Sequence, residues 1–200
     1  RQLGKMGLVI FSFANGWDNS PVAAESYHAP IKSIGNSTTT PRDLENDLDV
    51  WIIQIALAES VAARLRKHGF KCKTVEITVR DNGLYSFSRQ IHLRQPTNIT
   101  NEIVTAAFQL FKDNYKWEHP IRSLGIRAAD LVLDDIPVQL DLFGNQEKKE
   151  KLEKLDRTVD EIRRRFGYFS IQRAAMYQDK VLSHLDAGTH TVHPHSYFHG

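Results

Sequence analysis

Two kinds of spacing between apolar residues alternate along the chain. Apolar side chains recur every third or fourth position over residues 44–68, which predicts a long amphipathic helix that ends at Gly69. Apolar and polar residues then alternate strictly from Thr74 to Arg80, and a second alternating run covers residues 84–94. The turn-forming residues Asp81-Asn82-Gly83 separate the two runs. The pattern therefore predicts a helix followed by a β-hairpin with one apolar and one polar face.

The same two patterns continue on either side of this unit. Residues 31–40 form a half-polar, extended segment that predicts a first strand. A second helix, capped near Asn98 or Thr100, follows Pro96, and a last strand covers residues 121–131. The predicted order is β-α-β-β-α-β, an α+β fold in which a four-stranded antiparallel sheet carries two helices on one face. Its other face is open and lined by Ser, Thr and Arg, and such a face usually meets a partner.

Shorter segments flank this domain of residues 31–133. Residues 1–22 hold an apolar helix pattern that stops at Asn15-Gly16, and residues 23–30 are typical of a linker. Residues 134–145 carry an apolar pentad in a polar setting, and residues 146–200 combine a helix of heptad spacing with a His-rich, flexible end. Such a helix usually packs on its own protein, and binding to a partner helix is the alternative. Because the chain starts at Arg1 within a helical pattern, we expect it to be cut from a longer protein.

Composition narrows the function classes. With 200 residues and 41% hydrophobic side chains, the chain can bury a core, and the net charge of +2 means that any basic surface must be local. A single cysteine, Cys72, excludes a disulfide framework and a cysteine-based zinc site, which fits a reducing cytoplasm. No apolar run approaches the roughly 20 residues that a membrane span needs. We therefore expect a cytoplasmic protein without a membrane partner.

Four short motifs stand in a fixed order along the chain. They are Asn15-Gly16-Trp17-Asp18-Asn19-Ser20-Pro21-Val22; Lys32-Ser33-Ile34-Gly35-Asn36-Ser37-Thr38-Thr39; Ser88-Arg89-Gln90-Ile91-His92-Leu93, with Pro96-Thr97 after it; and Ile121-Arg122-Ser123-Leu124-Gly125-Ile126-Arg127. Together they resemble the C-terminal half of Y-family (translesion) DNA polymerases, above all the bacterial UmuC/ImpB/MucB branch and its DinB-like members. The resemblance implies the end of a thumb in residues 1–22, followed by the little-finger domain.

This resemblance implies that the open face holds duplex primer-template DNA by its phosphates. Hydroxyl groups and arginines suit that role, which positions DNA without reading its sequence. Simple alternation sends Arg89 to the core side unless a bulge intervenes, and Asn36 stands where many relatives have a basic residue. An ordinary solvated sheet face is the alternative. The residues carried over from the family are Ser33, Gly35, Asn36, Ser37 and Thr39 on the first strand, Arg89 on the third, and Arg122 and Arg127 on the fourth.

The pentad Gln139-Leu140-Asp141-Leu142-Phe143 resembles the peptide with which bacterial polymerases bind the sliding clamp. The resemblance implies that the clamp (the beta subunit) is a partner and that Leu142 and Phe143 are the apolar anchors. The alternative is that the pentad folds back on its own domain. The same family branch implies a recombinase or other repair factors as partners of the C-terminal extension, although no residue here specifies them.

Catalysis is not predicted for this chain. In the family, a palm domain holds the catalytic Mg²⁺ ions with a cluster of acidic residues. The adjacent acidic pairs of this sequence, Asp134-Asp135 and Asp160-Glu161, stand in a loop and on a charged helix, where solvated surface charge is the ordinary interpretation. We therefore expect neither a cofactor nor nucleotidyl transfer here and assign the DNA polymerase activity to the parent protein.

The hypotheses also include two alternative functions and a role for the thiol of Cys72. A stand-alone RNA-binding module would stack bases on aromatic residues of the sheet, but the predicted open face has no aromatic pair. A metal-dependent hydrolase would need more ligands than the tail histidines, which no carboxylate or thiol set completes. The thiol of Cys72, between Lys71 and Lys73, has either a lowered pKa or a structural role. The tail histidines are His190, His193, His195 and His199.

Overall fold

The computed structural model describes residues 4–22, 30–135 and 146–185. Its residues fall into two compact units, Arg1–Pro30 and Ile31–Gly200. In the first unit, helix α1 (Gly4–Ala14) ends at a turn where Gly16 has a φ of 77°, a conformation that glycine adopts without a steric penalty. This confirms the predicted stop at Asn15-Gly16. None of the residues of α1, all of which are described, is buried.

The second unit is built on a four-stranded antiparallel sheet. Its elements are β1 (Ser33–Leu44), α2 (Asp47–Lys67), β2 (Phe70–Asp81), β3 (Ser86–Thr97), α3 (Thr100–Asn114) and β4 (Ile121–Leu133). The strands lie side by side in the order β1-β4-β2-β3, so the last strand along the chain is inserted between the first and the second. The predicted β-α-β-β-α-β order and the α+β class are confirmed.

One continuous core lies between the sheet and the two helices. Alternate residues of β2 and β4, such as Ile77 and Ile126, are fully buried and pack with α2 and with Phe111 of α3. The helix α2 starts later than the periodicity predicts because Asn46 caps it, accepting a hydrogen bond of 3.0 Å from the Asp49 amide. Leu48 comes just before the buried part of α2 and is 44% exposed.

Residues 146–185 pack on this same unit. They form α4 (Gln146–Phe166), two 3₁₀ turns (Tyr168–Ser170 and Ala174–Gln178) and α5 (Lys180–Ser183), and Met176 and Leu182 reach the core. Among the residues of α4, all of them described, Asp156 alone is buried. The expected helix is therefore present and packs on its own protein, but with a charged residue at the centre of its contact.

Asp156 completes helix α3 from a distant part of the chain. The residue at the N-cap of α3 is Ile99, which has no side-chain acceptor, so the cap predicted at Asn98 or Thr100 does not form locally. Instead, the Asp156 carboxylate accepts a 2.7 Å hydrogen bond from the Thr100 amide. It also lies 3.2 Å from the guanidinium of Arg66, which bonds Asp160 at 2.6 Å. A carboxylate is well placed there because the amino end of a helix carries partial positive charge.

Candidate nucleic-acid interface

Strand register arranges the residues on the open face of the sheet in four rows. From β1 to β3 the rows are Ser33, Ala129, Thr74, His92; Gly35, Arg127, Glu76, Gln90; Ser37, Gly125, Thr78, Ser88; and Thr39, Ser123, Arg80, Ser86. All of these residues are polar or small, and α2 and α3 cover the opposite face. The rows contain no Phe, Tyr or Trp side chain on which a base could stack, which counts against the RNA-binding alternative.

Two glycines keep the middle of this open face flat. A Cβ atom on Gly125 would lie 3.0 Å from the Cβ of Ser37 and 3.6 Å from that of Thr78. A Cβ atom on Gly35 would lie 3.2 Å from the Cβ and Cγ of Arg127. Larger residues would crowd their neighbours and build a ridge between the strands. The glycines therefore leave a shallow surface across β1 and β4, along which an extended ligand can approach the backbone.

Two arginines supply the positive charge of the rows. Arg127 donates from Nε to Oε2 of Glu76 at 3.1 Å, and its Nη2 contacts the same oxygen. The side chain of Arg127 is 53% exposed, whereas that of Glu76 is 15% exposed. Arg80 is exposed and, among the described residues, has no carboxylate within ion-pair distance. Arg80 is therefore the uncompensated cation of this face.

Five of the residues predicted for the site come together on the open face: Ser33, Gly35, Ser37, Thr39 and Arg127. Arg122 lies at the margin. The β2–β4 register passes from Arg80 opposite Ser123 to Asp81 opposite Ile121, so Arg122 is the extra residue of a bulge. Its guanidinium donates to the Thr40 carbonyl at 3.0 Å and lies 3.5 Å from Asp43.

Asn36 does not belong to the open face. Its side chain faces α2, where Nδ2 donates to the Ser60 hydroxyl at 3.1 Å. Its Oδ1 accepts a 2.9 Å hydrogen bond from the Ser37 amide. The expectation that Asn36 lines the same surface as Ser37 needs correction, because strand alternation places it beside buried Ile34.

Arg89 is also on the helix side of the sheet. It pairs with buried Ile77, and the register is regular on both sides of that pair, so no bulge turns its side chain outward. Its Nε lies 3.2 Å from Oδ1 of Asn114, at the end of α3, and its guanidinium lies 5.4 Å from the ring centre of Phe87. The placement of Arg89 with the open-face residues is therefore wrong, and simple alternation gives the right answer.

The site residues carried over from the family did not include several positions of the open face. Arg80 and Glu76 carry the charges of β2, and Thr78 and Ser88 add hydroxyl groups to the middle row. The signal was in the sequence, because the alternation from Thr74 to Arg80 already separates these side chains from the core residues. A face assigned by alternation would have included them.

The remaining candidates of the sequence lie elsewhere. The pentad of residues 139–143 and the four tail histidines are outside the described residues. Cys72 is fully buried, and burial raises the pKa of its thiol to about 12, which contradicts a lowered value.

Within the described ranges there is no group of three or more His, Cys, Asp or Glu side chains that could hold a metal ion. A search of the same ranges finds no helix with the length and apolar character of a membrane span.

Comparisons with known proteins find a matching family and several relatives. Residues 31–142 match the impB/mucB/samB family C-terminal domain. The chain is 47% identical to DNA polymerase IV of Acetivibrio thermocellus over 185 residues, which are 92% of this chain and 46% of that protein. It is 36% identical to DNA polymerase IV 2 of Bacillus subtilis over 179 residues, or 88% of this chain and 42% of that protein. The chain thus spans somewhat less than half the length of these relatives.

Proposed function

Because the chain belongs to the impB/mucB/samB C-terminal domain family, the C-terminal region of Y-family DNA polymerases, we propose that it holds primer-template DNA for such an enzyme. The open rows of the sheet lie along the duplex and contact its phosphates. The whole protein then acts as a DNA polymerase in translesion synthesis and DNA repair. We assign its metal-binding acidic residues to the rest of that protein, since this chain covers only 46% of such a relative.

The observation that carries this proposal is the composition of the four rows. They offer hydroxyl groups on a flat surface, with Arg127 and Arg80 on neighbouring strands. Arg127 lies opposite Glu76, four residues before Arg80 on β2, so the two arginines are about 13 Å apart along the sheet. Each DNA strand carries a phosphate about every 3.4 Å of helix axis, so the two can bind separate phosphates. Contacts of this type hold DNA without selecting a sequence.

Titration of duplex DNA against salt tests the proposal. We expect weak binding of every sequence alike, with a slope of about −3 to −4 in a log-log plot if about four phosphates are contacted. Arg80→Gln should reduce that slope by about 1, and Arg127→Gln should reduce it by less, because Glu76 already offsets the charge of Arg127. Arg89→Gln is the matched control, since it removes the same charge from the opposite face. A strong sequence preference, a slope near zero or an equal loss in Arg89→Gln would contradict the open-face site.

We also propose that the pentad Gln139–Phe143 tethers the protein to the bacterial sliding clamp. What supports this proposal is the residue pattern itself, in which two adjacent large apolar side chains, Leu142 and Phe143, follow Gln139 in a polar setting. Exposed apolar groups of this kind are anchors when a pocket on a partner receives them.

Calorimetric titration with the clamp separates tethering from a folded-back pentad. Truncating a buried anchor removes at least about 2 kcal/mol, or about thirtyfold in affinity, so Leu142→Ala with Phe143→Ala should make binding hard to detect. The melting temperature should stay the same, and Asp141→Ala, at the variable position, should bind normally. A pentad that folds back gives the reverse result, a clear loss of stability and no clamp binding by the unaltered chain.

A further inference from the structure

Glu76 is the one acidic residue in the four rows of the proposed DNA face, all of whose positions are described. A second carboxylate, Asp130, accepts a 2.5 Å hydrogen bond from Thr74 at the margin. The Thr74 hydroxyl also lies 3.1 Å from Nδ1 of His92. Asp130 is therefore part of a hydrogen-bonded cluster with Thr74 and His92. Glu76 instead contacts Arg127, one of the two arginines of the rows.

The Glu76–Arg127 pair contributes little to the fold. Nε and Nη2 of Arg127 both contact a single oxygen, Oε2 of Glu76, and more than half of the arginine side chain is exposed to solvent. Pairs in which one partner is largely exposed add little to the free energy of unfolding, because solvent screens their attraction. The carboxylate has a larger effect on an anionic ligand, because it cancels the charge that would attract a phosphate.

We infer that Glu76 competes with DNA phosphates for Arg127 and thereby keeps the affinity of this face for duplex DNA low. The inference rests on the proposed DNA-holding function. A phosphate that reaches Arg127 meets a pair without net charge, so fewer counterions leave the DNA than at a free arginine such as Arg80. Weak contacts suit a surface that holds a duplex while the duplex advances, because each contact must break at every step.

The substitution Glu76→Gln tests the inference because it keeps the shape of the side chain and removes its charge. We expect duplex affinity to rise about fivefold, the factor that corresponds to about 1 kcal/mol. The log-log salt slope should become steeper by up to about 0.9, since Arg127 then counts as a full cation. Glu102→Gln is the matched control, because Glu102 lies on α3, across the sheet, 3.8 Å from Lys149. That control should leave both affinity and slope unchanged.

A double-substitution cycle shows whether Glu76 acts through Arg127. In an Arg127→Gln background, Glu76→Gln should raise the affinity by clearly less, because only the repulsion between the carboxylate and the phosphates is then removed. A gain of the same size in that background overturns the inference, and so does an unchanged affinity of Glu76→Gln when the unaltered chain binds with a steep salt slope. In both cases the DNA-holding function stands. If neither the unaltered chain nor Glu76→Gln binds duplex DNA, the proposed function fails, and the inference fails with it.

Discussion

The helices of the second unit are attached in two different ways. An apolar seam, the packing of α2 and α3 on the sheet, consists of fully buried hydrophobic side chains such as Leu57, Ile77 and Phe111. An ionic seam, the polar contacts of residues 146–185 with the rest of the unit, depends on ion pairs such as Arg66–Asp156 and lies beside the apolar contacts of Met176 and Leu182. Hydrophobic packing is non-directional, whereas each buried charge needs its own partner. The apolar seam is therefore strong without exact pairing, and the ionic seam is specific but depends on single residues.

The largest expected effect comes from breaking the apolar seam at Phe111. Its ring is fully buried and contacts Phe108, Tyr115 and Trp117, so Phe111→Ala leaves a cavity at the centre of the aromatic cluster. We expect a loss of about 3–5 kcal/mol in the free energy of unfolding, measured by denaturant titration. Phe166→Ala serves as the control, because that ring is 73% exposed on α4. A loss below about 1 kcal/mol for Phe111→Ala would show that this core is loosely packed.

A smaller but more local effect is expected from breaking the ionic seam at Asp156. The substitution Asp156→Ala leaves the Arg66 guanidinium, 6% exposed, without one of its two carboxylates and removes the cap of α3. We expect a loss of about 3 kcal/mol. Hydrogen exchange should speed up in α4 and in the first turn of α3 before it does so in β2. Glu161→Ala on the exposed side of α4 is the control. Uniform acceleration through the sheet would mean that the two seams are not separate.

Acid should weaken the ionic seam, and the loss in the free energy of unfolding should be smaller than for Phe111→Ala or Asp156→Ala. A hydrogen bond from Arg42 lowers the pKa of Asp179, and although burial alone would raise the pKa of Asp134, Lys71 and Arg157 lower it overall. Groups with a lowered pKa stabilise the fold above their unfolded value and lose that contribution as pH falls through the folded value. We therefore expect α4 to loosen below about pH 4, while the apolar seam holds. Denaturant titrations at acid and neutral pH measure this, and Asp134→Asn should show a smaller drop.

Periodicity predicted the order of helices and strands along the chain because apolar burial decides both the strands and the helix faces. The same alternation would have placed Asn36 beside Ile34 and Arg89 beside Ile91, on the helix side, where the structure has them. Carrying residues over from the family placed Asn36 and Arg89 on the open face instead. The bulge at Arg122 could not be predicted, since it depends on how β4 meets two neighbouring strands.

The ionic seam was beyond sequence reasoning for a different reason. Arg66 and Asp156 are 90 residues apart, and nothing in the local pattern of either residue points to the other. The apolar stripe of α4 predicted that the helix packs on its own protein, but not that a charge holds it there. Likewise, Ile99 is a poor cap on its own, and the carboxylate that replaces a local cap comes from another helix.

The position of β4 in the sheet determines when the sheet can form during synthesis of the chain. β4 is made last among the strands, yet it pairs with both β1 and β2. A ribosome must therefore release residues up to Leu133 before β1 gains its neighbour, and until then β1 and one edge of β2 stay unpaired. The hairpin of β2 and β3 can form early, because a short turn joins its strands. A nascent chain that stops before β4 would expose these edges to pairing with other chains.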